Sequence, residues 1–485
     1  MLDLVVRGGT IVTIDGVFDG DVAIRRGRIV AVAGPGILPQ AREMIDASGL
    51  LVFPGLVDPH VHLGHRIFLD DGWVSAADDF ATGSGTAAAG GTTAVIDFAI
   101  QRDLDPIATV AARRAEAEGR VVIDYSVHPA LTRTTPETLD AISTLITAGL
   151  PSFKLYMIYR KQGRMADDAM LFNTLRETAT RGGLVGVHAE NAPIAEFNTE
   201  QAVRQAKTTA MDFAHTKPSD VEAEAINRAL FFAERSHGTL YIFHLSTRDG
   251  LQLVGAARAR GVKVFAETCT HYLTLTEGVY SEPDGHRFIC SPPLRPASDV
   301  EALWEGLATG VLSVVSSDHC GFDMAAKDRG RADFTRVPNG LPGIGARFPV
   351  MYTHAVLTGI LTLPQLVAVL STNPARVFGL YPRKGAIQPG SDADLVLIDP
   401  GRRLKISAAA FDSPIDWSPY AGMELSGWPV MTIAGGKAVA RNGHCLVAPG
   451  RGRGRFLTRQ LFPRQPDVPR SRASAGDERM EGTDP

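Results

Sequence analysis

The sequence predicts an α/β protein built on a (β/α)8 TIM-like barrel, with a small β-sandwich domain assembled from both chain ends. Three observations carry this reading: strand-length apolar runs alternate with helical stretches through the middle of the chain, eight such runs can be marked, and short strands broken by Gly and Asp occupy both ends. A doubly wound sheet is the architectural alternative. The expected divisions are 1–54 and 381–448 for the two parts of the sandwich, 55–380 for the barrel and 449–485 for an Arg- and Pro-rich tail.

The N-terminal part reads as strands at 4–6, 10–13, 22–24 and 29–32, an antiparallel unit with Asp15-Gly16 and Arg26-Gly27 as turns. A similar texture returns at 395–398, 430–433 and 437–440, where Gly435-Gly436 signals a hairpin. Between them, barrel strands are expected at 56–62, 93–98, 121–127, 152–156, 184–188, 240–244, 262–267 and 311–318. Helices are expected at 107–118, 168–181, 220–236 and 301–308. In such a barrel the chemistry belongs at the carboxyl ends of the strands. The tail reads as partly disordered, with Phe456, Leu457, Leu461 and Phe462 available to dock on a neighbouring subunit.

With 485 residues, 45% of them hydrophobic and 21% charged, the chain can bury a large core. A formal net charge of -4 gives no global attraction for nucleic acid or an anionic membrane, so neither is an expected partner. Apolar runs such as 311–315 are far too short to cross a bilayer. The first residues lack the basic and apolar regions of a secretory signal, which points to the cytoplasm. The 4 cysteines contain no Cys-x-x-Cys pair and suit buried thiols rather than disulfides or a zinc ribbon.

His60 and His62 flank Val61 at the end of the first barrel strand, where residues i and i+2 face the same way. Alone, the pair suits a solvated or structural role as well as a metal. His188 and His244 close the fifth and sixth strands, each just after an apolar run, and four imidazoles on one rim favour metal binding. Asp318 ends the eighth strand; it can cap a helix, or it can bind a metal and accept a proton from water. Lys154 falls on the fourth strand, where pairing with a barrel carboxylate is one reading.

These residues, together with longer passages, resemble the dihydropyrimidinase and hydantoinase group of cyclic amidohydrolases over residues 3–445. The passages are Gly55-Leu56-Val57-Asp58-Pro59-His60-Val61-His62-Leu63, Ala77-Asp78-Asp79-Phe80-Ala81-Thr82-Gly83, Ala87-Ala88-Ala89-Gly90-Gly91-Thr92-Thr93, Val187-His188-Ala189-Glu190-Asn191, Ser291-Pro292-Pro293-Leu294-Arg295 and Pro338-Asn339-Gly340. The resemblance implies two zinc ions per subunit bridged by a CO2-derived carbamate on Lys154 (N6-carboxylysine). His60, His62, Lys154 and Asp318 would hold one ion, and Lys154, His188 and His244 the other. A bridging hydroxide would open the ring of a 5,6-dihydropyrimidine or hydantoin to an N-carbamoyl amino acid, with Asp318 carrying the proton.

Tyr159 matches the tyrosine that hydrogen-bonds the oxyanion, and Ser291 and Asn339 match positions whose backbones grip the cyclic amide. Either a homotetramer or a homodimer is implied. Allantoin hydrolysis is the nearest enzymatic alternative, because the stretch 341–348 looks closer to neighbouring branches. Dihydroorotase activity is less favoured, since Gly64-His65-Arg66-Ile67 follows Leu63 where Arg-Glu-Pro-Gly would be usual. A metal-free scaffold on the same fold is the alternative from another class. His271, Cys269, Cys320 and His319 read as packing or supporting residues, while His65 and Arg66 could touch substrate or face solvent.

Overall fold

Near-continuous apolar sequence produces eight parallel strands: β1 (Leu56–Val61), β2 (Thr92–Ile100), β3 (Asp124–Ala130), β4 (Ser152–Tyr156), β5 (Leu184–His188), β6 (Thr239–Ile242), β7 (Val264–Cys269) and β8 (Val314–Ser316). The computed structural model describes residues 1–69, 72–102 and 105–462. The strands pair in sequence order, β1 with β2 through to β7 with β8. A bridge between Val61 and His319, with His62 N–H donating to the His319 carbonyl at 2.8 Å, brings the last strand back to the first. This is the expected barrel, and it rules out a doubly wound sheet.

β4 and β5 run over the residues expected of them. β6 and β8 stop before His244 and Asp318, because those residues adopt left-handed backbone (φ 39° and 45°) that cannot continue a ladder. Helices cover the outside. Asp167 caps the helix Asp168–Arg181 by accepting from Met170 N, and Gly182 ends it in left-handed conformation.

The chain ends share a second, nine-stranded sheet. Leu51–Pro54 lies between Leu2–Thr13 on one side and Leu395–Lys405 on the other, so the strand that leads into β1 also joins the termini. The expected strands at 4–6 and 10–13 form one strand, interrupted by a register shift between Val6 and Gly9. Ala41–Asp46 and Leu51–Pro54 were not anticipated; both pair parallel to Leu2–Thr13, so the unit is only mostly antiparallel. Its own core includes Leu4, Ile24, Val52, Leu395 and Ile433.

The described part of the tail packs on the chain's own barrel, while Leu461 stays exposed. Tyr125 N–H donates to the Arg455 carbonyl at 3.0 Å and Leu457 N–H to the Tyr125 carbonyl at 2.7 Å, so the strap runs along the start of β3. Leu457 is buried in a cluster with Tyr241 and Phe378. Residues 463–485 of the tail lie outside the described residues. Among the described residues, no helix is long and apolar enough to cross a membrane.

Candidate metal centre

β1 delivers His60 and His62 to the carboxyl-terminal mouth. Both Nε2 atoms converge on Asp318 Oδ1, at 2.9 Å from His60 and 3.3 Å from His62. Across the mouth, His188 Nδ1 and His244 Nε2 face each other at 3.0 Å. The structure therefore brings all five together, and ligand atoms of His60, His244 and Asp318 lie within 4.8 Å of one another.

The outward nitrogens are held by carboxylates. Glu267 on β7 binds His60 Nδ1, and it also accepts from the Tyr241 hydroxyl at 2.7 Å and the His244 N–H at 3.2 Å. Glu190 Oε2 holds His188 Nε2 at 2.5 Å and accepts from the Ser291 hydroxyl at 2.7 Å. Fixing one edge of an imidazole aims the lone pair of the other edge into the site. Neither glutamate was singled out from sequence, although Glu190 stands two residues after His188, the same i, i+2 relation that links His60 to His62.

Burial opposes the charge on His60, but Asp318 and Glu267 outweigh it and raise its pKa to about 9. Burial takes His62 and His188 down to about 4 despite their carboxylate partners, so these rings are neutral with free lone pairs. Asp318 is also opposed by burial, yet His60 and His62 hold it well below the usual carboxylate range. Apart from His60, whose proton the carboxylates hold in place, the centre gathers carboxylates and neutral nitrogen donors, the groups that ligate cations. A second acidic group, Asp124, Asp392 and Asp394, is filled by the Lys384 ammonium at 2.7, 3.0 and 2.5 Å.

Lys154 enters from β4, 1% exposed, with Nζ 3.9 Å from the centre of the Phe243 ring. Among the described residues it has no carboxylate at ion-pair distance, so the expectation of a barrel counter-ion is not met. Burial lowers its amine to about 7 even with Asp318 and Glu267 nearby. A far larger share of neutral, nucleophilic amine is present at neutral pH than for a surface lysine.

Tyr159 follows β4, with its ring 5.3 Å from that of His188 and its backbone left-handed at φ 68°. Burial and the nearby Glu190 push its phenol up, so it stays protonated and can donate. The Ser291 hydroxyl is engaged by Lys217 and Glu190. Asn339 is half-buried next to Gly340, whose N–H donates to the Ile289 carbonyl at 3.2 Å; the segments carrying Ser291 and Asn339 therefore lie side by side.

His319 pairs with Asp78 at 2.7 Å and accepts from Gly343 N–H, while the Cys269 thiol meets the Ser316 hydroxyl. The His65 ring lies 5.2 Å from that of His62.

Comparison with known proteins agrees with this architecture. Residues 51–439 match the model of the amidohydrolase family. The chain is 38% identical to a D-hydantoinase of Ralstonia pickettii over 95% of this chain and 100% of that protein. It is 39% identical to a D-hydantoinase of Rhizobium radiobacter over 93% of this chain and 98% of that protein. The crystal structure of dihydropyrimidinase from Brevibacillus agri superposes with a TM-score of 0.91 at 35% identity, covering 96% of this chain and 100% of that one. With this agreement in sequence and fold along nearly its whole length, the chain belongs to the amidohydrolase family, among its hydantoinases and dihydropyrimidinases.

Proposed function

We propose that the protein is a metal-dependent cyclic amidohydrolase that opens hydantoins or 5,6-dihydropyrimidines to N-carbamoyl amino acids. The observation that carries this reading is the double arrangement of imidazoles, with His60 and His188 each backed by a buried glutamate and aimed at a shared centre with His62, His244 and Asp318. The donor set fits a pair of divalent ions, in keeping with the metal binding that the family implies. In this reading the ions would be zinc, with His60, His62 and Asp318 as ligands of one, His188 and His244 as ligands of the other, and a carbamate formed on Lys154 as a ligand of both. The lowered amine of Lys154 supports the carbamate, since only a neutral amine reacts with CO2. Two such ions polarise a ring carbonyl and acidify water.

Asp318 takes the proton from the attacking water as its oxygen bonds to the ring carbonyl carbon. It returns that proton to the ring nitrogen as the C–N bond breaks, so one water is consumed and no other reactant is needed. Tyr159 donates a hydrogen bond to the carbonyl oxygen as negative charge develops there. The backbones near Ser291 and Asn339 hold the cyclic amide. Cytoplasmic location belongs to the same reading, and a homotetramer or homodimer rests on the resemblance alone.

The test combines metal analysis with an assay of dihydrouracil, hydantoin, 5-substituted hydantoins and allantoin side by side. Two metals per chain, with turnover of hydantoin or dihydrouracil that chelation abolishes, is the expected result. Lys154→Ala should lose its metal and regain part of the activity with short carboxylic acids; full activity without rescue would sink the bridging carbamate.

A further inference from the structure

Loop 157–166, between β4 and the following helix, carries three cations, and they are not equivalent. Arg160 is paired with Glu196, and Lys161 with Glu200 at 3.0 Å. Arg164 is half-buried, and among the described residues no carboxylate lies within ion-pair distance of it. The loop folds back on itself: Arg164 N–H donates to the Tyr159 carbonyl at 3.1 Å, Met165 bridges to Tyr156, and Ala166 N–H donates to the Tyr156 carbonyl at 2.8 Å. Arg164 is thereby fixed beside the tyrosine that faces His188.

Its guanidinium reaches over the mouth to the hairpin that follows His62, donating to the Arg66 carbonyl at 3.4 Å. Arg66 lies on that hairpin over the Trp73 ring, also without a carboxylate partner among the described residues. The positive charge of Arg164 is felt by Tyr156 and Tyr159 on one side and by His65 and Cys320 on the other. Among the described residues, one weak hydrogen bond leaves most of the guanidinium's donors unused, in a half-buried position where an anion would be held more strongly than in water.

We infer that Arg164, with Arg66 beside it, selects cyclic ureides whose ring substituent ends in a carboxylate. This rests on the proposed ring-opening activity and specifies its substrate class. In the proposed reaction the ring would lie against the metal centre and Tyr159, so a substituent directed outward from it would meet Arg164, which folds beside Tyr159. The planar guanidinium fork matches a carboxylate through two parallel hydrogen bonds, a geometry that an amide of the same shape cannot reproduce.

The experiment compares 5-carboxymethyl- and 5-(2-carboxyethyl)hydantoin with their carboxamides, which match them in size and lack the charge. Wild-type kcat/KM is expected to favour at least one acid over its amide by roughly tenfold or more, and added salt should shrink the ratio. Arg164→Gln is expected to remove most of that preference, and Arg164→Lys to retain part of it. Arg160→Gln, which breaks only the pair with Glu196, should leave the ratio unchanged. A wild-type ratio at or below one for both pairs overturns the inference without recourse to any variant, as does an unchanged ratio in Arg164→Gln. Failure to turn over any cyclic ureide, neutral or acidic, with metal bound would instead overturn the ring-opening reading on which the inference rests.

Discussion

The carboxylate of Glu267 is bound to His60 Nδ1, and both side chains are buried. Because the same carboxylate accepts from the Tyr241 hydroxyl and the His244 N–H, one residue on β7 sets the position of histidines from β1 and the end of β6. Glu267→Ala is expected to lower metal affinity by about 10- to 100-fold while leaving every proposed ligand in place. Competition with a chelator of known affinity measures this; undiminished affinity would show that His60 does not depend on its partner.

Tyr159 separates binding from chemistry. Tyr159→Phe keeps the ring against His188 and deletes only the donor, so metal content and melting temperature should match the wild type. If the hydroxyl stabilises charge that develops on the carbonyl oxygen, kcat falls by about 10²- to 10³-fold with a smaller change in KM. Kinetics on fully metal-loaded protein decide it, and a change confined to KM would assign Tyr159 to substrate binding alone.

The strap from Gly452 to Phe462 is expected to contribute to stability despite its tail-like composition. Gly454 shows how closely it lies: a Cβ there would sit 1.8 Å from the Ile123 carbonyl oxygen, closer than any real contact. Gly454→Ala must push the strap outward and loosen buried Leu457, whose full exposure would cost roughly 2 to 3 kcal/mol. A melting temperature lower by several degrees is expected, and an unchanged one would mean that the strap carries no stability.

How much of this was legible in the sequence depended on the range of the interactions involved. β4 and β5 could be marked residue by residue because apolar runs bounded by Gly and Pro report burial locally. The convergence of His60, His62, His188, His244 and Asp318 followed from one topological rule, that strand ends of a barrel meet at one rim. Glu267 stayed hidden because a lone acid near a strand end has no periodicity to distinguish it, and its meaning comes from His60, 207 residues away. Arg164 looked like any loop cation; only the pairing of Arg160 and Lys161 with the helix Ala192–Arg204 that follows β5 sets it apart. The strap misled because Arg, Gly and Pro usually signal a solvated tail, whereas here the glycines permit close approach and the arginines find buried acceptors.

Asp124 gives the strap a pH dependence. Its carboxylate binds Lys384 Nζ at 2.7 Å and Arg455 at 2.6 Å, joining the start of β3, the residues leading into the sandwich and the strap. Burial works against its charge, but Lys384 and Arg455 outweigh it and hold the pKa at about 2, against an ordinary value of 3.8. A carboxylate depressed on folding adds stability that is fully present above its unfolded pKa and disappears as pH falls through the folded one. The window therefore runs from about pH 4 down to about pH 2, and the effect is roughly 2 kcal/mol. Lys384 keeps its charge throughout, since its own pKa is raised by Asp394, Asp124 and Asp392 against the effect of burial. Asp394 works the other way: burial raises its pKa and outweighs Lys384, so its titration lies above that of Asp124. Asp124→Asn should consequently lower stability at neutral pH and flatten its decline between pH 4 and 2. Denaturant unfolding of chelator-treated wild type and variant, in which metal release plays no part, measures both slopes; identical slopes would remove Asp124 from the acid response.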